Sequence, residues 1–185
     1  MPHISVPSGL PGIVGLLATK PSVGEAFLRF AEELMRGPSS LTQGERELIA
    51  AAVSSGNECD FCARSHAAAA RHALPDADGT LVAAVRRDVR TAPVDERMRA
   101  LLLIADKVRI SGNGVTQEDV DRARAEGADD DALHDTVLVA AAFCLANRYV
   151  DGLAAITPDD ERTYDEAGQR LATDGYLSIT APNRP

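Results

Sequence analysis

Residues 42–66, TQGERELIAAAVSSGNECDFCARSH, carry the signals of two consecutive helices and decide the fold. Thr42 followed by Glu45 forms a capping box, in which a hydroxyl and a carboxylate satisfy the free N–H groups at a helix start. Apolar residues then recur at helical spacing as far as Gly56 and Asn57, which are typical helix terminators. A second helix follows directly. The stretch therefore predicts two helices in immediate succession.

The rest of the chain repeats these signals and predicts an all-α fold, a helical bundle of about eight helices. Aromatic residues make up only 4% of the chain and tryptophan is absent, which favours close helix packing over a sheet. Four prolines within residues 1–21 predict an extended N-terminal arm. We expect residues 22–174 to form the helical domain and residues 175–185 to form an extended tail.

Charge and hydropathy exclude several classes of function. The 19 basic and 28 acidic residues give a net charge of −9, and no basic cluster follows one face, so nucleic acid is disfavoured as a partner. The longest apolar run, residues 137–146, has about half the length of a membrane span. The apolar run at residues 10–18 is interrupted by proline and glycine and lacks the basic start of a signal peptide. We expect a soluble, cytoplasmic protein with no membrane partner.

Cys59, Cys62 and His66 form a reactive stripe on the second helix. At about 100° per residue they lie within about 60° of one another, and their spacings bring helical side chains into contact. The start of a helix also favours a thiolate. His66, one turn after Cys62, is placed to take its proton, which makes Cys62 the attacking thiol and Cys59 the resolving thiol of a redox cycle that needs no bound cofactor.

Glu47 extends this stripe to the preceding helix. Its neighbours three, four and seven positions later are Ala50, Ala51 and Ser54, a small-residue face suited to packing inward. A carboxylate on such a face needs a polar partner. We expect that partner to be His66, so that Glu47 orients the base and carries protons.

Two other interpretations of the cysteine pair stay open. Zinc bound by Cys59, Cys62, His66 and Glu47 is one, although structural zinc sites normally use a second, distant pair of ligands. The other is that both thiols serve only as small apolar core residues, as buried cysteines often do.

The most apolar predicted helix also carries polar groups. Cys144 lies in the run AAAFCLA without a charged neighbour, so we expect an inert core thiol. Residues 147–149, Asn-Arg-Tyr, interrupt the apolar pattern. A polar contact between helices is the simplest interpretation, and an approach to the thiol site or an oligomer contact is the alternative.

These residues resemble the alkylhydroperoxidase D-like (AhpD-like) proteins of the carboxymuconolactone decarboxylase superfamily. The family motif is Glu, eleven residues, Cys, two residues, Cys, three residues and His, and it occurs here as Glu47, Cys59, Cys62 and His66. The flanking segments PGIVGLL and AFCLANR are similar to the peroxidase-related branch, so the resemblance covers roughly residues 11–155.

The resemblance implies an all-helical homo-oligomer, a dimer, trimer or hexamer, that reduces hydroperoxides without a metal. Cys62 would attack the peroxide, Cys59 would resolve it, and Glu47 and His66 would relay protons. The implied reductant is a dithiol, lipoyl-linked in the best-studied branch. Phe61 stands where the founding branch has a histidine, so a second imidazole is missing from the site.

Two further consequences concern activity. The lactone decarboxylase branch lacks the cysteine pair, so the CxxC sequence argues against that reaction. A rival to the enzyme is a redox sensor or interaction module, in which the same dithiol changes state without repeated turnover, and a metal-binding module is a third possibility.

Overall fold

Helices build the whole framework of the part of the chain that the computed structural model describes, residues 1–76 and 78–180. The all-α prediction is confirmed, because these residues form nine α-helices and two short 3-10 helices and no strand. The α-helices are α1 (Gly12–Ala18), α2 (Pro21–Arg36), α3 (Gln43–Gly56), α4 (Asp60–Ala73), α5 (Thr80–Arg87), α6 (Glu96–Ile110), α7 (Gln117–Ala125), α8 (Asp130–Gly152) and α9 (Glu161–Asp174). The 3-10 helices are Gly112–Gly114 and Tyr176–Thr180.

The capping box predicted at the start of α3 is present. The Thr42 hydroxyl accepts from the Glu45 N–H, and the Glu45 carboxylate accepts from the Thr42 N–H at 2.7 Å. The turn after α3 is tight: Glu58 adopts a left-handed φ of 60°, and the Cys59 N–H donates to the Ser54 carbonyl at 3.0 Å. This turn places the first residues of α4 directly beside the end of α3.

The core lies around α3, which packs against α2, α4, α5, α6 and α8. Its fully buried side chains include Ile49 and Val53, and α6 contributes Leu101 and Leu102. Helix α8 runs for 23 residues along the other side of this core. Across residues 1–76 and 78–180, no helix combines the length and the apolar character needed to cross a membrane.

The prediction of an extended N-terminal arm is wrong for Gly12–Ala18, which forms α1. Pro11 immediately precedes this helix, and Pro21 is the first residue of α2. Proline is tolerated at both positions because a helix start has no use for its missing N–H. The prolines therefore bracket α1 instead of preventing it.

The predicted extended tail is also wrong where the structure describes it, because Tyr176–Thr180 forms a 3-10 helix; residues 181–185 lie outside the described residues. Arg36 on α2 donates to the Leu171 carbonyl at 2.9 Å and so caps the end of α9. Glu32, also on α2, accepts from the Tyr176 N–H at 2.6 Å. Helix α2 thus fixes the point at which the tail begins.

Asp119 joins α7 to α6. Its carboxylate accepts from the Thr116 N–H at 2.8 Å, closing the capping box of α7, and from Lys107 on α6 at 2.5 Å. The Lys107 ammonium and then the Thr116 hydrogen bonds lower the pKa of Asp119 to about 2. A group with a lowered folded-state pKa stabilises the protein above its unfolded-state pKa, and that contribution is lost as the pH falls through the folded-state value.

We therefore expect Asp119→Asn to lower the free energy of unfolding by about 1–2 kcal/mol at pH 7, the size of a cap and a charged hydrogen bond. The difference from the unsubstituted protein should shrink as the pH falls below about 4. Urea unfolding at pH 7 and at lower pH measures it. Asp121→Asn, which alters an exposed carboxylate bonded to Gln117 of the same helix, is the matched control. An equal loss at all pH values would contradict the assignment.

Candidate active site

Glu47 of α3 and His66 of α4 form a buried pair. Glu47 Oε2 lies 2.7 Å from His66 Nδ1, and the Glu47 side chain is 0% exposed. The ring of His66 packs edge-on against Phe143 of α8, with 4.4 Å between ring centroids. Because Glu47 occupies Nδ1, Nε2 is the ring nitrogen left to exchange a proton with another group.

The two cysteines lie at the start of α4, Cys59 as its N-cap residue and Cys62 in its first turn. Both are free and buried, and they share a small apolar cluster with Val150 of α8. The Cys59 thiol donates a hydrogen bond to Cys62; this bond, followed by burial, raises the pKa of Cys59. The structure therefore brings together the thiols and the Glu47–His66 pair, and we call these four residues the thiol site.

Cys62 is the thiol that ionises more readily. The hydrogen bond from Cys59 lowers its pKa most, and the charge of His66 and a hydrogen bond from Asn147 act in the same direction. Burial and the negative charge of Asp151 oppose them, but the net direction of the pKa is downward. Cys62 is thus suited to nucleophilic attack, while Cys59 stays protonated.

Asn147 of α8 is a member of this environment whose role the sequence left open. Its Nδ2 donates to Ser54 Oγ at 3.0 Å, and its Oδ1 accepts from Asn57 at 2.9 Å. These two bonds fix the orientation of the amide, which also helps to lower the pKa of Cys62. The interruption of an apolar helix by a polar run indicated a contact between helices, which the structure shows, but it did not indicate the hydrogen bond to Cys62.

Cys144 lies at the edge of the same network. It is half-buried, and Asn57 Nδ2 lies 3.5 Å from its sulfur. The sequence predicted purely apolar surroundings for this thiol, whereas it is approached by the Asn57 amide and donates to the Arg109 carbonyl at 3.8 Å.

Tyr176, in the 3-10 helix after α9, is the residue that sequence reasoning missed. Its hydroxyl donates to Glu47 Oε1 at 2.7 Å and lies 3.4 Å from His66 Nδ1. Burial and then the charge of Glu47 raise the pKa of Tyr176 well above its ordinary value, so the hydroxyl keeps its proton. The sequence offers little to reveal this contact beyond an aromatic residue that directly follows Gly175.

An apolar cavity of about 940 Å³ opens onto the thiol site. Cys62 and His66 form part of its wall, and most of the remaining wall consists of aliphatic and aromatic side chains of α1, α2, α8 and α9. Phe61 is part of the wall as well. Its ring lies against Gly12 of α1, where a Cβ atom would fall 2.1 Å from the ring. The residue that stands in place of a histidine is therefore a hydrophobic wall of the cavity.

The geometry also bears on metal binding. Among the residues that the structure describes, no group of three or more His, Cys, Asp or Glu side chains has an arrangement able to hold a metal ion. Glu47 and His66 bond to each other, and the carboxylate's second oxygen is taken by Tyr176.

Comparisons with known proteins agree with this fold. Residues 21–107 match the carboxymuconolactone decarboxylase family. An uncharacterized peroxidase-related protein from Silicibacter sp. TM1040 shares 30% identity and a TM-score of 0.75, over 84% of this chain and 78% of that one. An uncharacterized peroxidase-related protein from Ralstonia eutropha JMP134, described as an alkylhydroperoxidase AhpD core, shares 28% identity and a TM-score of 0.76, over 86% and 81% of the two chains.

A third structure, a putative antioxidant defence protein AhpD of unknown function from Agrobacterium tumefaciens, shares 23% identity and a TM-score of 0.66, over 80% of this chain and 99% of that one; at this identity it supports the fold alone. No curated protein matches the chain. The fold is that of the AhpD-like all-α proteins. The chain belongs to the carboxymuconolactone decarboxylase superfamily.

The pKa directions predict an order of reactivity among the thiols. Iodoacetamide should alkylate Cys62 at a lower pH than an ordinary thiol, because the Cys59 hydrogen bond stabilises its thiolate. Cys59→Ala should raise the pH midpoint of Cys62 alkylation by about one unit, the size expected for loss of a hydrogen bond to a charged group. Peptide mass spectrometry across a pH series measures it. Cys144→Ala is the control, and an equal shift in both variants would contradict the interpretation.

Proposed function

We propose that the protein is a thiol-dependent hydroperoxide reductase, a cytoplasmic antioxidant enzyme of the alkylhydroperoxidase type. The observation that carries the proposal is the position of Cys62. A thiol with a lowered pKa lies in the wall of an apolar cavity, beside a histidine that a buried carboxylate holds in place. Family membership supports the wider class of peroxidase-related proteins.

The first half-reaction oxidises Cys62. Its thiolate attacks one peroxide oxygen, the O–O bond breaks, and the alkoxide leaves as an alcohol with a proton from Nε2 of His66. Glu47 stabilises the imidazolium that supplies this proton and holds the ring in orientation. Cys62 becomes a sulfenic acid.

The second half-reaction uses Cys59. Its pKa is raised chiefly by donating to Cys62, so oxidation of Cys62 removes the main cause of that shift. Cys59 then attacks the sulfenic sulfur, water leaves with the thiol proton, and a Cys59–Cys62 disulfide forms. An external dithiol reduces this disulfide by two thiol exchanges and is itself oxidised. The net reaction converts a hydroperoxide and a dithiol into an alcohol, water and a disulfide.

The cavity supports organic hydroperoxides as substrates. Its wall offers apolar surface for a hydrocarbon group, and each buried methylene contributes about 0.8 kcal/mol. Hydrogen peroxide would gain none of this. The reductant of this proposal is a dithiol, and lipoyl-linked dithiols are included. The proposed protein is also a homo-oligomer. The exposed apolar side chains of Val137 and Leu145 on α8 support an interface between copies of the chain.

Turnover with a dithiol tests the proposal directly. With dihydrolipoamide as reductant, kcat/KM for cumene hydroperoxide should exceed that for hydrogen peroxide by about tenfold or more, because the apolar group is buried. Cys62→Ser should abolish turnover, while Cys144→Ser should retain it. If the Cys62→Ser protein consumed peroxide as fast as the unsubstituted protein, the proposed peroxidase activity would be refuted. If mild oxidation lowers the mass by two protons and no dithiol reduces the oxidised protein, the result would favour the redox sensor instead.

Glu47→Gln separates proton relay from packing. The substitution is nearly isosteric but removes the charge that stabilises imidazolium, so we expect the helical circular dichroism to persist and the rate of Cys62 oxidation to fall by about 10²-fold. Stopped-flow oxidation of the reduced protein by excess hydroperoxide measures this rate. Glu126→Gln is the control, because Glu126 is exposed and directly follows α7. An unaltered rate would remove Glu47 from the mechanism.

A further inference from the structure

The segment after α9 is built to deliver one side chain into the interior. Gly175 has a φ of 81°, a conformation that favours glycine, and a Cβ atom there would lie 2.5 Å from Glu32 Oε2 and displace that carboxylate. The next N–H, that of Tyr176, donates to the same carboxylate at 2.6 Å. Arg36 pairs with Glu32 at 3.1 Å and caps the end of α9. The contacts of Glu32 and Arg36 thus fix the backbone at Tyr176 and at the end of α9 that precedes it.

The phenol of Tyr176 completes the hydrogen bonding of Glu47. Oε2 of this carboxylate is bonded to His66 and Oε1 to the tyrosine hydroxyl, both at 2.7 Å. The rings of Tyr176 and His66 lie nearly parallel, with centroids 6.2 Å apart and planes at 14°. A carboxyl group with no exposure to water needs hydrogen bonds to both of its oxygens.

We propose that Tyr176 is a positioning residue of the thiol site, whose hydroxyl holds the Glu47 carboxyl group directed at Nδ1 of His66 so that Nε2 serves Cys62. This inference rests on the proposed function, because it assumes that Glu47 and His66 assist Cys62. Tyr176 acts through Glu47 and not on the sulfur itself.

The consequence for Cys62 follows from the charges. Without the hydroxyl, Oε1 is buried and unpaired, so Glu47 loses the contact that directs Oε2 at Nδ1 of His66. His66 is then held less firmly beside Cys62, and the charge of His66 is one of the causes that lower the pKa of Cys62. The other charged or titratable groups that face the site, all left in place by a phenylalanine, are Glu32 and Arg36 on α2, Arg46 on α3, Cys59 on α4 and Asp151 on α8.

Tyr176→Phe removes the hydroxyl and keeps the ring, and Tyr149→Phe is the matched control. Tyr149 lies on α8, and its hydroxyl donates to the Leu16 carbonyl at 3.3 Å, which is not part of the thiol site. The readout is the pH dependence of Cys62 alkylation by iodoacetamide. We expect Tyr176→Phe to raise the pH midpoint by about one unit, and to slow alkylation about tenfold below it, with no shift in Tyr149→Phe. An unshifted midpoint in Tyr176→Phe would overturn the proposal.

A double substitution distinguishes positioning from packing. If the hydroxyl acts through Glu47, Tyr176→Phe should add no further shift in a Glu47→Gln background, whereas an independent packing effect would add to it. Additive shifts would therefore overturn the proposal. Alkylation needs no hydroperoxide, so a protein that shows the shift but no peroxidase turnover would refute the proposed function and leave the positioning role standing.

Discussion

The buried bond between Glu47 and His66 is the interaction on which the rest of the structure depends. A carboxylate without exposure to water needs compensation, and breaking a buried pair by removing one partner costs about 3–5 kcal/mol. The bond joins residues 19 positions apart on consecutive helices, so it holds only when α3 and α4 lie side by side in one register. The tight turn at Glu58 and the capping box at Thr42 serve that register. A well-packed apolar pair would stabilise such a contact at least as well, which favours a chemical reason for burying a carboxyl group against an imidazole.

Small residues allow the elements around this pair to come close. Helix α4 is buried on two sides, against α3 and against α9, and carries the run of alanines at residues 67–70. On α9, a Cβ atom at Gly168 would lie 2.5 Å from that of Ala68, so α9 approaches the backbone of α4 directly. This close contact sets where α9 ends, and therefore where the chain turns to place Tyr176 next to Glu47. An alanine-rich composition with few aromatics is thus a condition for the site as well as for the bundle.

The sequence was informative where the contacts are local. Glu47, Cys59, Cys62 and His66 span two neighbouring helices, and the helical period alone is enough to place them on facing sides. Tyr176 lies 129 positions from Glu47, so only the packing of α2, α4 and α9 brings it there. The same holds for Asn147, which lies 93 positions from Ser54.

Local signals also failed where one residue type has two meanings. Prolines in the first 21 residues indicated a break in helical structure, yet Pro11 and Pro21 lie at helix starts, where proline is favoured. The tail was predicted to be extended because nothing in the sequence pattern indicates that the N–H of Tyr176 donates to a carboxylate of α2. A cap supplied by a side chain far away in the sequence produces no periodic pattern from which it could be predicted.

The position of Cys59 at the N-cap bears on how the protein would tolerate repeated cycles of oxidation. Its φ and ψ of −83° and 92° are extended, so its side chain precedes the helical ladder, while its carbonyl already accepts the first bond of that ladder from Ala63 at 2.9 Å. Rotating the Cys59 sulfur toward Cys62 breaks no helical hydrogen bond. A disulfide of the kind proposed would therefore involve only the turn after α3 and the first turn of α4, and the hydrogen bonds of the bundle could stay in place.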